Sequence, residues 1–206
     1  MFGRFTVSLH DAKDDRPYSL HEARKLPLSA RAYGSNLVFD NFSSYVFRHL
    51  FNGPSVDAPY EGASGDGSCA LGFLALLSTD AAPTYTEASN ETVAPNSVTD
   101  VAGGDNCAKR FVEDQLERSI VSATNGREAV TMNMAWMWLQ DDGNSSAIKS
   151  LGIFHSQNAD ADGSTVQTCG RIARIRLTDI GGTPITYTKT AGKVLIVDYA
   201  FTLVSV

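Results

Sequence analysis

The sequence predicts a mainly β protein: a single-domain antiparallel β-sandwich, jelly-roll or immunoglobulin-like, with one short helix and long loops. Two observations lead to this fold class. Apolar and polar residues alternate with a period of two in several short segments, as in strands that bury one face. Clusters of Gly, Pro, Asn, Asp and Ser separate these segments at the spacing expected of an all-β domain.

The composition agrees with a folded domain and limits its partners. Of 206 residues, 43% are hydrophobic and 19% are charged, so the chain has enough apolar surface to build a core. A net charge of −6 argues against nucleic acid as the main partner, since phosphate contacts need clustered Lys and Arg. No run approaches the roughly 18 apolar residues of a membrane-spanning helix, so no membrane partner is expected.

The N-terminal half contains two predicted strands and the one predicted helix. Residues 2–9 alternate and predict a half-buried strand, and the polar residues 10–35 predict an extended N-terminal arm with room for one more strand. Residues 40–52 carry apolar side chains at helical spacing and end at Gly-Pro, which predicts a helix. The apolar run 69–77 predicts a buried strand, whereas 78–108 predict an exposed loop.

The C-terminal half predicts consecutive strands. A strand over 118–124 precedes Asn125-Gly126, the strongest hairpin signal, because both residues accept positive φ. The answering strand covers 129–139, and further strands are predicted over 147–154, 166–177 and 194–206. Residues 178–192 predict another turn-rich excursion.

The residue types that carry chemistry favour structural interpretations here. Cys69, Cys107 and Cys169 lie far apart, which predicts three reduced thiols, with one long-range disulfide as the alternative. Residues 158–163 match the first half of a calcium loop, but Cys169 stands where the bidentate glutamate is needed. None of the four histidines pairs in sequence with a nucleophile. We therefore predict that the protein is not an enzyme and has no catalytic residues, no metal and no cofactor.

The only basic cluster is formed by Arg171, Arg174 and Arg176, which are the candidate interface residues. Arg174 and Arg176 share one face of a predicted strand. They either form a cross-strand salt-bridge ladder with residues such as Asp198 or contact another subunit.

Five segments of the C-terminal third occur in a recognisable order. They are Val130–Trp136, Ile148–Phe154, Arg174–Leu177, Ile185–Thr190 and Val194–Leu203. In this order they resemble β-domains of structural proteins from tailed bacteriophages, among tail, neck and fibre components. The opening Gly3–Asp11 is similar to the first strand of small phage virion proteins. The resemblance covers roughly residues 125–206 and the first strand, and residues 12–120 lie outside it.

The resemblance implies a structural component of the virion that acts through assembly contacts with copies of itself and with other virion structural proteins. The arm and the long loop would then contact neighbouring subunits. Two alternatives remain open. One is a capsid decoration or cement protein, and the other is a carbohydrate- or receptor-binding module in which Trp136 or Trp138 stacks on a sugar. Both tryptophans share a strand face with apolar residues, which favours core packing for them.

Overall fold

The fold is mainly β and antiparallel, as the sequence predicts. A computed structural model of the chain describes residues 2–35, 37–38, 71–81, 90–91, 100–103, 106–110, 117–122, 128–156 and 169–204. Within them one short helix, α1, spans Leu20–Ala23. In chain order the strands are β1 (Phe2–Asp11), β2 (Leu28–Ser35), β3 (Leu37–Val38), β4 (Leu71–Leu77), β5 (Asn90–Glu91), β6 (Ala108–Arg110), β7 (Glu117–Ser122), β8 (Glu128–Trp138), β9 (Ser145–Ile148), β10 (Ser150–Ser156), β11 (Cys169–Arg176), β12 (Tyr187–Lys189) and β13 (Lys193–Val204).

The first sheet brings the two ends of the chain together. Its order is β2-β1-β13-β8-β7, so the last strand lies between the first strand and β8. Val7 is opposite Val197, which is in turn opposite Trp136, and all three side chains are buried. The period-two alternation of these strands therefore marks one inward face, as predicted.

The second sheet packs on that inward face. Its order is β3-β11-β10-β4-β6, with β5 also paired to β11. Leu74, Leu151 and Ile175 of this sheet belong to the same apolar cluster as Val197 and Trp136 of the first sheet. Two antiparallel sheets thus enclose one core, while the jelly-roll or immunoglobulin-like connectivity stays a prediction.

The predicted strand over 147–154 is wrong in one respect, because the chain changes sheets in its middle. The backbone of Lys149 donates to the Leu77 carbonyl at 2.9 Å and accepts from the Leu177 amide at 2.9 Å. Before it, β9 pairs with β12 in a small sheet of two strands. The predicted excursion over 178–192 therefore contains a strand, β12. The turn-rich sequence does not indicate this strand, because its partner β9 is distant in the chain.

The predicted N-terminal arm over 10–35 contains the further strand expected of it, β2, but it does not extend away from the domain. The segment folds onto the outer face of the first sheet and continues into β2, which pairs with β1. Leu20, Ala23 and Leu26 of this segment pack against Val194 and Ile196. Only a few apolar residues make these contacts, and they surround a single helical turn, so no periodicity reveals them in the sequence.

A capping box stabilises the start of α1. The Glu22 amide donates to the Ser19 hydroxyl oxygen at 3.3 Å, and the Ser19 amide donates to the Glu22 carboxylate at 2.9 Å. The Ser19 hydroxyl donates to the same carboxylate at 2.9 Å, and the Arg16 guanidinium reaches it at 3.1 Å. The bonds that reach the carboxylate, first among them the one from the Ser19 amide, lower the pKa of Glu22 from 4.5 to about 2.

We predict that Glu22→Gln removes part of the acid sensitivity of folding. Because the folded pKa of Glu22 lies below its ordinary value, its contribution is complete above pH 4.5 and is lost as the pH falls from 4.5 to 2. In urea titrations between pH 4.5 and pH 2, the free energy of unfolding should fall less steeply with pH in the variant than in wild type. Asp15→Asn, at an exposed carboxylate of the same segment, is the matched control. Identical pH slopes for Glu22→Gln and wild type would contradict the prediction.

The predicted exposed loop over 78–108 is wrong at its C-terminal end. Cys107 and Ala108 have no exposed surface, and Ala102 is also buried. The Leu76 amide donates to the Cys107 carbonyl at 3.0 Å, and the Ala102 amide donates to the Leu76 carbonyl at 2.8 Å. Backbone hydrogen bonds to β4 thus draw in a segment whose small polar composition is that of a loop.

Other sequence predictions have mixed outcomes. The hairpin between β7 and β8 is confirmed by antiparallel pairing from Ser122 opposite Glu128 onward, although its Asn125-Gly126 turn lies outside the described residues. The predicted helix over 40–52 and the calcium-like segment 158–163 also lie outside them.

Candidate interaction surface

One of the three candidate interface arginines is buried, which differs from its prediction as an interface residue. Arg174, in β11, is 2% exposed, and its Nη1 donates to the Ala81 carbonyl at 2.7 Å. Arg176 is half-buried, and its Nε has no hydrogen-bond partner in the described part of the chain. The side chain of Arg171 lies outside the described residues.

The reason for this difference is that the second sheet is covered on both faces around Arg174. Ala173 and Ile175 face the core, as the alternation predicts. On the opposite face, where Arg174 lies, Ala75 and Ser150 are also buried. A strand pattern identifies two faces but does not show that both are covered.

The predicted ladder between the arginines and Asp198 is also wrong. Asp198 lies in β13 of the first sheet, whereas Arg174 and Arg176 lie in β11 of the second. Asp198 instead forms an ion pair with Arg24, which follows α1 in the segment on the outer face of the first sheet. Sequence reasoning missed this pair because its members are 174 positions apart.

The two tryptophans do not form a sugar-binding platform. Trp136 and Trp138 have no exposed surface, and both belong to the core cluster. The Trp138 indole N–H donates to the Asn106 carbonyl at 3.1 Å. Neither ring offers a face to a ligand, so core packing is confirmed for both and sugar stacking on them is wrong.

Several other side chains that could carry chemistry are buried and have structural contacts instead. The ring of His10 contacts the Leu26 carbonyl through Nδ1 at 3.0 Å, and the Cys107 thiol donates to the Gly103 carbonyl at 2.9 Å. Burial raises the pKa of Tyr187 to about 12, so its hydroxyl stays protonated at neutral pH. Among the described residues no three His, Cys, Asp or Glu side chains lie together as a metal site would require.

The exposed feature that stands out is an apolar side chain at the tip of a hydrogen-bonded turn. Ile180 is 90% exposed, in the turn after β11. The Asp179 carboxylate accepts from the amides of Gly181 at 2.8 Å and Thr183 at 2.9 Å, and the Asp179 amide donates to the Thr183 carbonyl at 2.9 Å. Gly182 has φ +83°, a conformation that favours glycine. These bonds define the turn that presents Ile180.

This turn adjoins the edge strand β2. The Tyr33 amide donates to the Thr178 carbonyl at 3.0 Å, and the Thr178 amide donates to the Tyr33 carbonyl at 3.2 Å. We call Ile180 and the backbone between Thr178 and Thr183 the β2-edge surface. The signal for it in the sequence is Asp179-Ile180-Gly181-Gly182, which marks a turn but does not show that the turn is exposed.

Comparison with known proteins finds no family model, curated protein or solved structure that matches the chain. In the described part of the chain, no helix is long and apolar enough to cross a membrane.

Proposed function

We propose that this protein is a non-enzymatic structural subunit of a tailed bacteriophage particle, in its tail, neck or fibre apparatus. Its partners are copies of itself and other virion structural proteins. The order of strand motifs in the C-terminal third supports the class of protein, and the β2-edge surface supports its mode of action.

The single observation that carries the mode of action is Ile180, held almost fully exposed on a hydrogen-bonded turn. Apolar residues exposed singly are common, but this one is presented by a turn whose conformation is already fixed. A partner that covers Ile180 gains apolar burial without ordering the turn first, which removes part of the entropic cost of association. Such preorganisation suits a subunit that assembles with neighbours.

We predict that Ile180→Asp weakens assembly without affecting folding. Burying a charge in an apolar contact is costly, whereas the same charge in the exposed turn of the monomer is hydrated. The unfolding midpoint should match that of wild type, and self-association measured by light scattering should weaken by about tenfold or more. Thr188→Asp, at an exposed residue of β12, is the matched control and should assemble like wild type.

The experiment on whole particles tests the class of protein. Mass spectrometry should find the chain in purified virions, and particle density should place it in the tail, neck or fibres. Density on the capsid surface would instead identify a decoration protein. A strictly monomeric chain that never appears in purified particles would refute the proposal.

A further inference from the structure

A polar cleft lies on the outer face of the first sheet, where the segment containing α1 leaves that face uncovered. Leu20, Ala23 and Leu26 cover Val194 and Ile196 on this face. Beyond them a cavity of about 290 Å³ opens, and its polar lining comes from Arg4, Thr6, Arg24, Asn133 and Asp198.

The cleft owes its shape to a small residue between two larger ones. Arg4 is opposite Ala200, which is in turn opposite Asn133, so the three form one row across β1, β13 and β8. Ala200 places only a methyl group on the floor. Two strand spacings separate the backbones of Arg4 and Asn133 by about 10 Å, which leaves room for a small group between their side chains.

The two arginines of the cleft differ in what they contact. Arg24 forms an ion pair with Asp198, and both side chains are more than two-fifths exposed. The side chain of Arg4 is exposed and forms no hydrogen bond or ion pair with any other residue that the structure describes. The cleft therefore has two positive charges and one negative charge, and one guanidinium is available to a ligand. This local excess of positive charge occurs on a chain whose net charge is −6.

We propose that this cleft binds a carboxylate group, with the Arg4 guanidinium as its main donor and the Asn133 amide and Thr6 hydroxyl as secondary donors. The planar guanidinium fork matches the two oxygens of a carboxylate. The volume suits a small dicarboxylate or the side chain of a glutamate, not a long polymer. Asp198 lowers the affinity, because it occupies Arg24 and repels an anion. The inference goes beyond the proposed function, since it needs no assembly through the β2-edge surface.

The site can be tested by nuclear magnetic resonance titration of the full chain with glutarate. The backbone amides of Asn133 and Ala200 should shift saturably. Arg4→Gln should weaken binding by about tenfold, the effect of removing one charge-assisted hydrogen-bonded contact. Asp198→Asn should strengthen binding by a similar factor, because it removes the charge that repels an anion. Arg31→Gln, at an exposed arginine of β2 outside the cleft, should leave binding unchanged.

Two further ligands distinguish the source of the carboxylate and its chemistry. A blocked tripeptide with a central glutamate tests whether an acidic side chain of a protein partner fits. Tighter binding of the tripeptide than of glutarate would indicate such a partner, and the reverse would indicate a free dicarboxylate. Inorganic phosphate tests the preference for a planar anion and should bind more weakly than either. Tighter binding of phosphate, no saturable shift with either carboxylate, or equal affinity in wild type and Arg4→Gln would overturn the proposal.

Discussion

Replacing Trp138 with alanine is expected to lower the free energy of unfolding by about 4 kcal/mol. The ring has no exposed surface, so its removal leaves a cavity between the two sheets. Its N–H bond to the Asn106 carbonyl is lost as well. A loss of this size is a large part of the stability of many domains, so the variant is expected to populate the unfolded state measurably in water.

Trp138→Phe is the matched variant that keeps the prediction testable. It retains most of the apolar volume and removes the indole N–H, and we expect a loss of about 1–2 kcal/mol. Denaturant titrations followed by circular dichroism measure both variants. A loss below about 1 kcal/mol for the alanine variant would show that the core rearranges around the missing ring.

Replacing Lys189 with methionine is expected to destabilise the fold by about 3 kcal/mol. This lysine is 1% exposed. Its ammonium group donates to the carbonyls of Leu139 at 2.7 Å and Gln140 at 3.2 Å, and to the amide oxygen of Asn144 at 3.0 Å. Methionine fills similar space but leaves these oxygens without that donor. The lysine thereby connects β12 by hydrogen bonds to the turn that follows β8.

Lys25→Met is the control for this second prediction, because it makes the same chemical change at an exposed lysine. It should alter the unfolding free energy by less than about 0.5 kcal/mol. Denaturant titration at neutral pH compares the two variants with wild type. Unchanged or increased stability in Lys189→Met would mean that the cost of dehydrating the ammonium group exceeds the value of its hydrogen bonds.

Both substitutions act on the same part of the molecule, the turn between β8 and β9. Gly143 in this turn has φ +61°, and a Cβ atom there would lie 2.8 Å from carbon atoms of Trp138 and Leu76. The turn is therefore packed directly onto the core. Lys189, in β12, donates hydrogen bonds to the backbone of this turn, and the Trp138 ring packs against Gly143. This explains why a lysine and a tryptophan of different strands should both have large effects.

The candidate surfaces depend on contacts that sequence patterns do not report. The alternation of apolar and polar residues places Arg174 on the strand face opposite the core. Arg174 is nevertheless buried, because other parts of the chain cover that face. Arg4 shows the reverse case, because it lies on a strand face that is covered only in part. Whether a strand face is covered depends on segments that are distant in the chain, so a local sequence pattern cannot determine it.

By itself the sequence determined the long strands with clear alternation, such as β1, β8 and β13, their inward faces and the mainly β class, because side chains alternate across a strand and turns need particular residues. It also placed Trp136 and Trp138 in the core. Only the tertiary structure decided that residues 10–35 fold onto the first sheet, that β9 and β10 belong to different sheets, and that Lys189 is buried. These features arise from pairing and packing between segments far apart in the chain, whose free energy no local pattern records.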